Sequence, residues 1–130
     1  MIEIALAFFL GATREGLPPD AWTCRNQVEV WCAADGCAAA NPEEFTPMDI
    51  SADASGALSV CAYTGCWAGK AKVARAEGRW LWAGDGFDFS TSQQGEKTDV
   101  TLMIVARDGV GFVRAGSLAT PVLCTRAAAE

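Results

Sequence analysis

Six cysteines, in a chain with no histidine, limit what this protein can become more than any other feature of it. Cys32–Cys37 and Cys61–Cys66 share one spacing, with four residues between partners, and Cys24 and Cys124 bracket them. An even cysteine number in a 130-residue chain reads as a disulfide framework, and so as an oxidising compartment. The missing histidine removes the commonest general base and the commonest metal ligand. Ser-His-Asp and Cys-His catalytic arrangements go with it.

Cross-links matter here because the rest of the composition is lean. About half of the residues are apolar, but many are alanine, which buries little area. A single domain of this size gains a modest core, and each staple adds to it. The net charge of −6, with no run of Lys or Arg, speaks against a nucleic-acid footprint and against an anionic membrane surface.

Residues 1–20 open with a short apolar run, Ile2 to Leu10, that ends in small residues at Gly11-Ala12. The run is too short to span a bilayer, so no transmembrane segment is expected. It has the form of a signal-peptide core without the preceding positive charge, and Glu3 carries the opposite sign. It reads either as a signal-peptide remnant or as a first element of the fold. Residues 21–126 form the expected single β domain, and 127–130 a frayed tail.

From Ala21 onward the dominant period is two. In Trp22 to Cys32 the even positions are mostly apolar, which predicts one half-buried strand with Trp22, Cys24, Val28, Val30 and Cys32 facing inward. Phe45 to Ala52 reads as a strand broken at Pro47, and hence an edge. Leu58 to Tyr63 and Cys66 to Arg75 follow. Then come Arg79 to Trp82, a turn at Gly84-Asp85-Gly86, and Phe87 to Ser90. Thr98 to Val105 is rich in β-branched residues, Asp108-Gly109 marks a hairpin, and Thr120 to Cys124 ends the domain. The expectation is all-β: an antiparallel meander of about eight strands forming a small disulfide-stapled barrel, with a two-sheet sandwich as the alternative.

Strand phase narrows the cysteine pairing. Cys24 and Cys124 both point inward, which suits a bridge between the first and last strands. Cys61 and Cys66 both point outward across a hairpin, and Cys32–Cys37 encloses a turn at Asp35-Gly36. The competing reading is a four-thiolate zinc site from Cys32, Cys37, Cys61 and Cys66, which leaves two cysteines and the apolar start without a role. No metal and no cofactor are therefore expected.

No catalytic constellation is evident. Gly84-Asp85-Gly86-Phe87-Asp88 lacks the alternating oxygens of a calcium loop. Carboxylate pairs such as Asp85 with Asp88, or Glu43 with Glu44, serve hydrolysis only at a defined separation. Five tryptophans are more suggestive. They either fill a core short of bulk, or leave Trp31 and the Trp80/Trp82 pair as an exposed aromatic surface for sugar rings or a protein.

With Cys32-x4-Cys37, Cys61-x4-Cys66-Trp67 and the closing Gly116-Ser-Leu-Ala-Thr-Pro-Val-Leu-Cys124, the chain resembles small exported bacterial proteins of unknown function that carry several cysteines on a compact β-fold. In general plan it is also similar to periplasmic lysozyme inhibitors. Their inhibitory loop motifs have no counterpart on these residues, so that resemblance implies a fold and no activity. The expected function is that of a periplasmic or secreted, monomeric, non-enzymatic binding domain for a protein or glycan partner. A small carboxylate-dependent hydrolase and a structural accessory module of an envelope assembly are the alternatives.

Overall fold

The computed structural model describes residues 20–91 and 97–127. The N-terminal segment thus lies outside the described residues apart from Asp20, and the tail apart from Ala127. Eleven strands follow one another: β1 (Trp22–Arg25), β2 (Val30–Ala33), β3 (Gly36–Ala39), β4 (Asp49–Ala52), β5 (Ala57–Ala62), β6 (Gly65–Lys70), β7 (Lys72–Ala76), β8 (Arg79–Asp88), β9 (Lys97–Val105), β10 (Val110–Ala115) and β11 (Leu118–Arg126). The described residues contain no helix.

Hydrogen bonds run along the path β6-β5-β4-β1-β11-β10-β9-β8-β7, and the β2–β3 hairpin attaches to β11. The two ends of this path are consecutive strands, since only Ala71 separates β6 from β7. The path therefore returns on itself. Trp67 of β6 bridges to Phe89 just beyond β8, and the Ser90 amide donates to the Cys66 carbonyl at 2.9 Å. The result is a nearly closed antiparallel barrel of nine strands, not a sandwich, and its two path ends no longer stand as free edges.

Alternation places one face of each strand inside. Ile50, Leu58, Val60, Trp80, Trp82, Phe87, Val100, Leu102, Ile104, Val113, Leu118 and Val122 fill the barrel. Phe87 explains two glycines. A Cβ on Gly69 would lie 2.8 Å from its ring, and one on Gly84 would collide with it outright. The Gly84-Asp85-Gly86 segment is accordingly not a turn. It is a bulge inside one ten-residue strand, where Gly84 to Phe87 spans three steps against two from Val100 to Thr98 on β9.

Two other expectations change. Pro47 precedes β4, which pairs with both β1 and β5 and so is not an edge. The expected single strand from Trp22 to Cys32 is broken. Asn26 turns its side chain inward, accepting from the Met48 amide at 2.7 Å and donating to the Val28 carbonyl at 2.8 Å. Between Arg25–Leu123 and Trp31–Leu118 the chain takes six steps against five on β11. That one extra residue inverts the phase. Val28 is left exposed, Val30 and Cys32 half-buried, and Glu29 buried.

All three disulfides join residues directly opposite each other on neighbouring strands: Cys24–Cys124 between β1 and β11, Cys32–Cys37 between β2 and β3, and Cys61–Cys66 between β5 and β6. No cysteine is free, so the four-thiolate zinc set does not exist. The bridges close loops with separations of 100, 5 and 5 residues. The chain-entropy relation assigns about 4.7 kcal/mol to the longest and roughly 2 kcal/mol to each short one. Replacing Cys24 and Cys124 together by alanine is therefore expected to lower the urea midpoint most, and replacing either hairpin pair to lower it about half as much. Equal losses from the three double variants would contradict this ranking.

Candidate functional site

The turns of an antiparallel barrel alternate between its two ends. One end gathers the β4–β5, β7–β8 and β9–β10 turns. The other gathers the β2–β3 hairpin, the β5–β6 turn, the 40–48 loop and the β10–β11 turn. This second end, called the mouth below, carries two of the three disulfides and the most distinctive side chains.

Glu29 is the centre of the mouth. It is only 2% exposed, yet none of the ion pairs among the described residues includes it. A buried carboxylate must be hydrogen-bonded to be tolerated, and two aromatic side chains do this. Trp31 donates its indole Nε1–H to Oε2 at 2.8 Å, and the Tyr63 hydroxyl lies 2.8 Å from both carboxylate oxygens. Both residues nevertheless remain in contact with solvent, Trp31 at 41% and Tyr63 at 52% exposed.

Local structure sets each participant. Trp31 pairs with buried Leu118, so the two share a face. At the end of the barrel that face opens to solvent and not onto the core. Tyr63 is in the β5–β6 turn with φ of 59°, a left-handed conformation unusual for an aromatic residue. Cys61–Cys66 pins the strands on either side of that turn, and the Cys66 amide donates to Ser90 Oγ at 2.9 Å. Cys32–Cys37 pins the hairpin that carries Trp31. The backbone of Glu29 is held as well, its carbonyl accepting from the Ala40 amide at 2.9 Å. Thr120 Oγ1 ties Val30 to β11 by bonds of 3.1 Å and 2.9 Å. Glu29 thus joins two hairpins that are each clasped by their own disulfide.

Sequence reading identified Trp31 as an exposed aromatic, and the structure agrees. For Trp80 and Trp82 the core-filling alternative holds and the exposed-surface one does not, since they are 3% and 0% exposed. Their rings stack at 5.5 Å with 14° between planes. Trp82 donates to the Asp53 carbonyl at 2.8 Å, and the Arg75 guanidinium covers Trp80 at 4.7 Å. The inward phase of β8 places both there, supplying the bulk that alanine does not. Glu29 and Tyr63 were missed. The phase of an unbroken first strand puts Glu29 outside, and only the extra residue set by Asn26 turns it in.

The carboxylates considered for hydrolysis are not assembled into a site. Asp85 and Asp88 lie exposed on β8, with Lys97 Nζ 3.0 Å from Asp88 Oδ1, and Glu43 and Glu44 are exposed in the 40–48 loop. A second surface feature is apolar. Phe112 stands opposite Pro121 and Met103, Met103 opposite Leu81, and Val110 opposite Leu123, so exposed hydrophobic side chains cross the outer face of β8 to β11. Val28 joins one end of this band in a shallow groove with Val110, Pro121 and Leu123.

No family model, no curated protein and no solved structure matches the chain.

The Tyr63 phenol is held above its ordinary value of 10.0, first by burial of its hydroxyl and then by the hydrogen bond to Glu29 and that carboxylate's charge. The Thr46 amide, a donor to the same oxygen, works in the opposite direction and is outweighed. A folded-state value above the unfolded one means that the folded protein holds this proton more tightly. The resulting stability is complete below the unfolded value and lost as pH rises through the folded one. Stability should therefore decline above about pH 10 in the wild type, and the decline should be smaller in Tyr63→Phe. Urea midpoints across the alkaline range, compared between the two proteins, check this. Identical alkaline slopes would contradict it.

Proposed function

We propose that this protein is a non-enzymatic binding domain of an extracytoplasmic compartment, periplasmic or secreted, whose protein or glycan partner is gripped at the mouth by Trp31 and Tyr63. One observation carries the reading: two exposed aromatic rings are fixed by hydrogen bonds to one buried carboxylate. Aromatic residues that are already ordered before binding give contact area at little entropic cost, the usual character of interface anchors. The supporting frame is rigid for the same purpose, since a cross-strand disulfide pins each hairpin that presents a ring. Three disulfides favour an oxidising compartment. Among the described residues no helix is long and apolar enough to cross a membrane.

The apolar band on β8 to β11 is the competing surface, and a capture experiment separates the two. Immobilised wild-type protein should retain a partner from the extracytoplasmic fraction of its native cells. Trp31→Ala and Tyr63→Ala should each weaken that retention by tenfold or more, on the order of a hot-spot loss. Phe112→Ser, on the band, should leave it within about twofold. Retention lost in Phe112→Ser but kept in both mouth variants would overturn the assignment to the mouth. A wild-type protein that retains nothing would overturn the binding-domain reading itself.

A further inference from the structure

Resting on that reading, we infer that the mouth recognises a basic side chain, the guanidinium of arginine or the ammonium of lysine, presented by a protein partner. Trp31 and Tyr63 direct their polar hydrogens to Glu29, so the surface each exposes is available mainly as apolar ring. An N–H or O–H that donates to a carboxylate shifts electron density back into its own ring, as linked hydrogen bonds polarise one another. Both faces therefore become better seats for a cation than an isolated aromatic would be. The Glu29 carboxylate lies at the polar edge of both rings, 2.8 Å from each donor, with no cation paired to it among the described residues.

The surroundings have the same sign. Asp35 projects at the tip of the β2–β3 hairpin, and Glu43 and Glu44 are exposed in the loop that reaches Thr46 beside the Tyr63 hydroxyl. Lys97 and Arg114 are also at this end. Lys97 is engaged with Asp88 at 3.0 Å, and Arg114 Nε is 3.5 Å from the Gly116 carbonyl. The whole chain carries a net charge of −6, which favours the approach of a basic surface. The same chemistry recurs within the fold: Arg75 covers Trp80 and Arg126 covers Trp22, each guanidinium 4.7 Å from its ring centroid. A neutral sugar would stack on the rings without using the carboxylate at their edge. That charge, unpaired among the described residues, is what favours a basic protein.

Arginine and citrulline have nearly the same shape and differ in charge, so they isolate this idea. The protein is titrated with the blocked tripeptide Gly-Arg-Gly, with its citrulline counterpart, and with an uncharged N-acetylglucosamine oligomer, while the side-chain NMR signals of Trp31 and Tyr63 are followed. The arginine peptide should shift both signals, bind at least tenfold more tightly than the citrulline peptide, and weaken as salt is raised. Trp31→Ala should abolish the Tyr63 shift, and Glu29→Gln should reduce the arginine preference severalfold. If Glu29→Gln does not fold, Trp31→Ala, in which the Tyr63 hydroxyl still satisfies Glu29, decides. Equal binding of arginine and citrulline peptides, or no shift with arginine, would overturn the inference. Shifts caused by the sugar oligomer alone would also overturn it while leaving a glycan-binding mouth standing. Failure of the binding-domain reading appears separately, as the absence of any partner in the capture experiment.

Discussion

The nine residues of β11 carry β10 along one edge and, along the other, first β2 and then β1. The arrangement of the barrel follows from that shared edge. β1 brings β4, β5 and β6 with it, β10 brings β9, β8 and β7, and the two arms meet because β6 and β7 are consecutive in the chain. Cys24–Cys124 locks the junction from the inside, where both residues are nearly buried. The one irregularity on this edge is the extra residue between β1 and β2, and it is also where the unusual chemistry lies. It turns a charged side chain inward at the position where the barrel opens.

The two ends of the barrel differ in consequence. At the end away from the mouth, most polar groups hold turns and join β1 to β11, although the buried indole Nε1 atoms of Trp22 and Trp80 have no hydrogen-bond partner among the described residues. Asp53 caps the β4–β5 turn, taking bonds from the Ser55 and Ala57 amides and the Ser55 hydroxyl, and its carbonyl accepts from Trp82. Partial burial pushes its carboxyl up, but these bonds and the charge of Lys70 outweigh that and hold it below its ordinary value. Arg126 pairs with Asp20 and covers Trp22, tying the end of β11 to the start of β1. At the mouth, the polar atoms of Trp31, Tyr63 and Glu29 satisfy one another, and their apolar surfaces are left without a partner. The hydrogen-bonded polar groups at the far end consolidate the fold, while those at the mouth present two rings.

Much of the frame was legible in the sequence because its signals are local. Period-two alternation marked β5 and β9, Asp108-Gly109 marked the turn between β9 and β10, and strand phase with the turn inside Cys32–Cys37 narrowed the cysteine pairing to a set that the structure shows. The site was legible only at Trp31. Glu29 depends on Asn26 accepting from the Met48 amide, a contact across 22 residues that no local pattern reports. Tyr63 depends on a left-handed turn residue that happens to reach the same carboxylate. For Trp80 and Trp82 the spacing leaves both a core and a surface reading open, because spacing fixes which residues share a face and not which face is buried. Their burial follows from the barrel's closure and the volume it must fill.

The central claim is that Glu29 clamps Trp31 and Tyr63 in the free protein, before any partner arrives. Hydrogen exchange of the Trp31 indole N–H tests it most directly, because a proton held in a 2.8 Å bond to a buried carboxylate must wait for the mouth to open before it exchanges. Exchange at least a hundredfold slower than that of a free indole is expected, although Trp31 is 41% exposed. Exchange at the free-indole rate would mean that the bond does not persist in solution, and would contradict the claim.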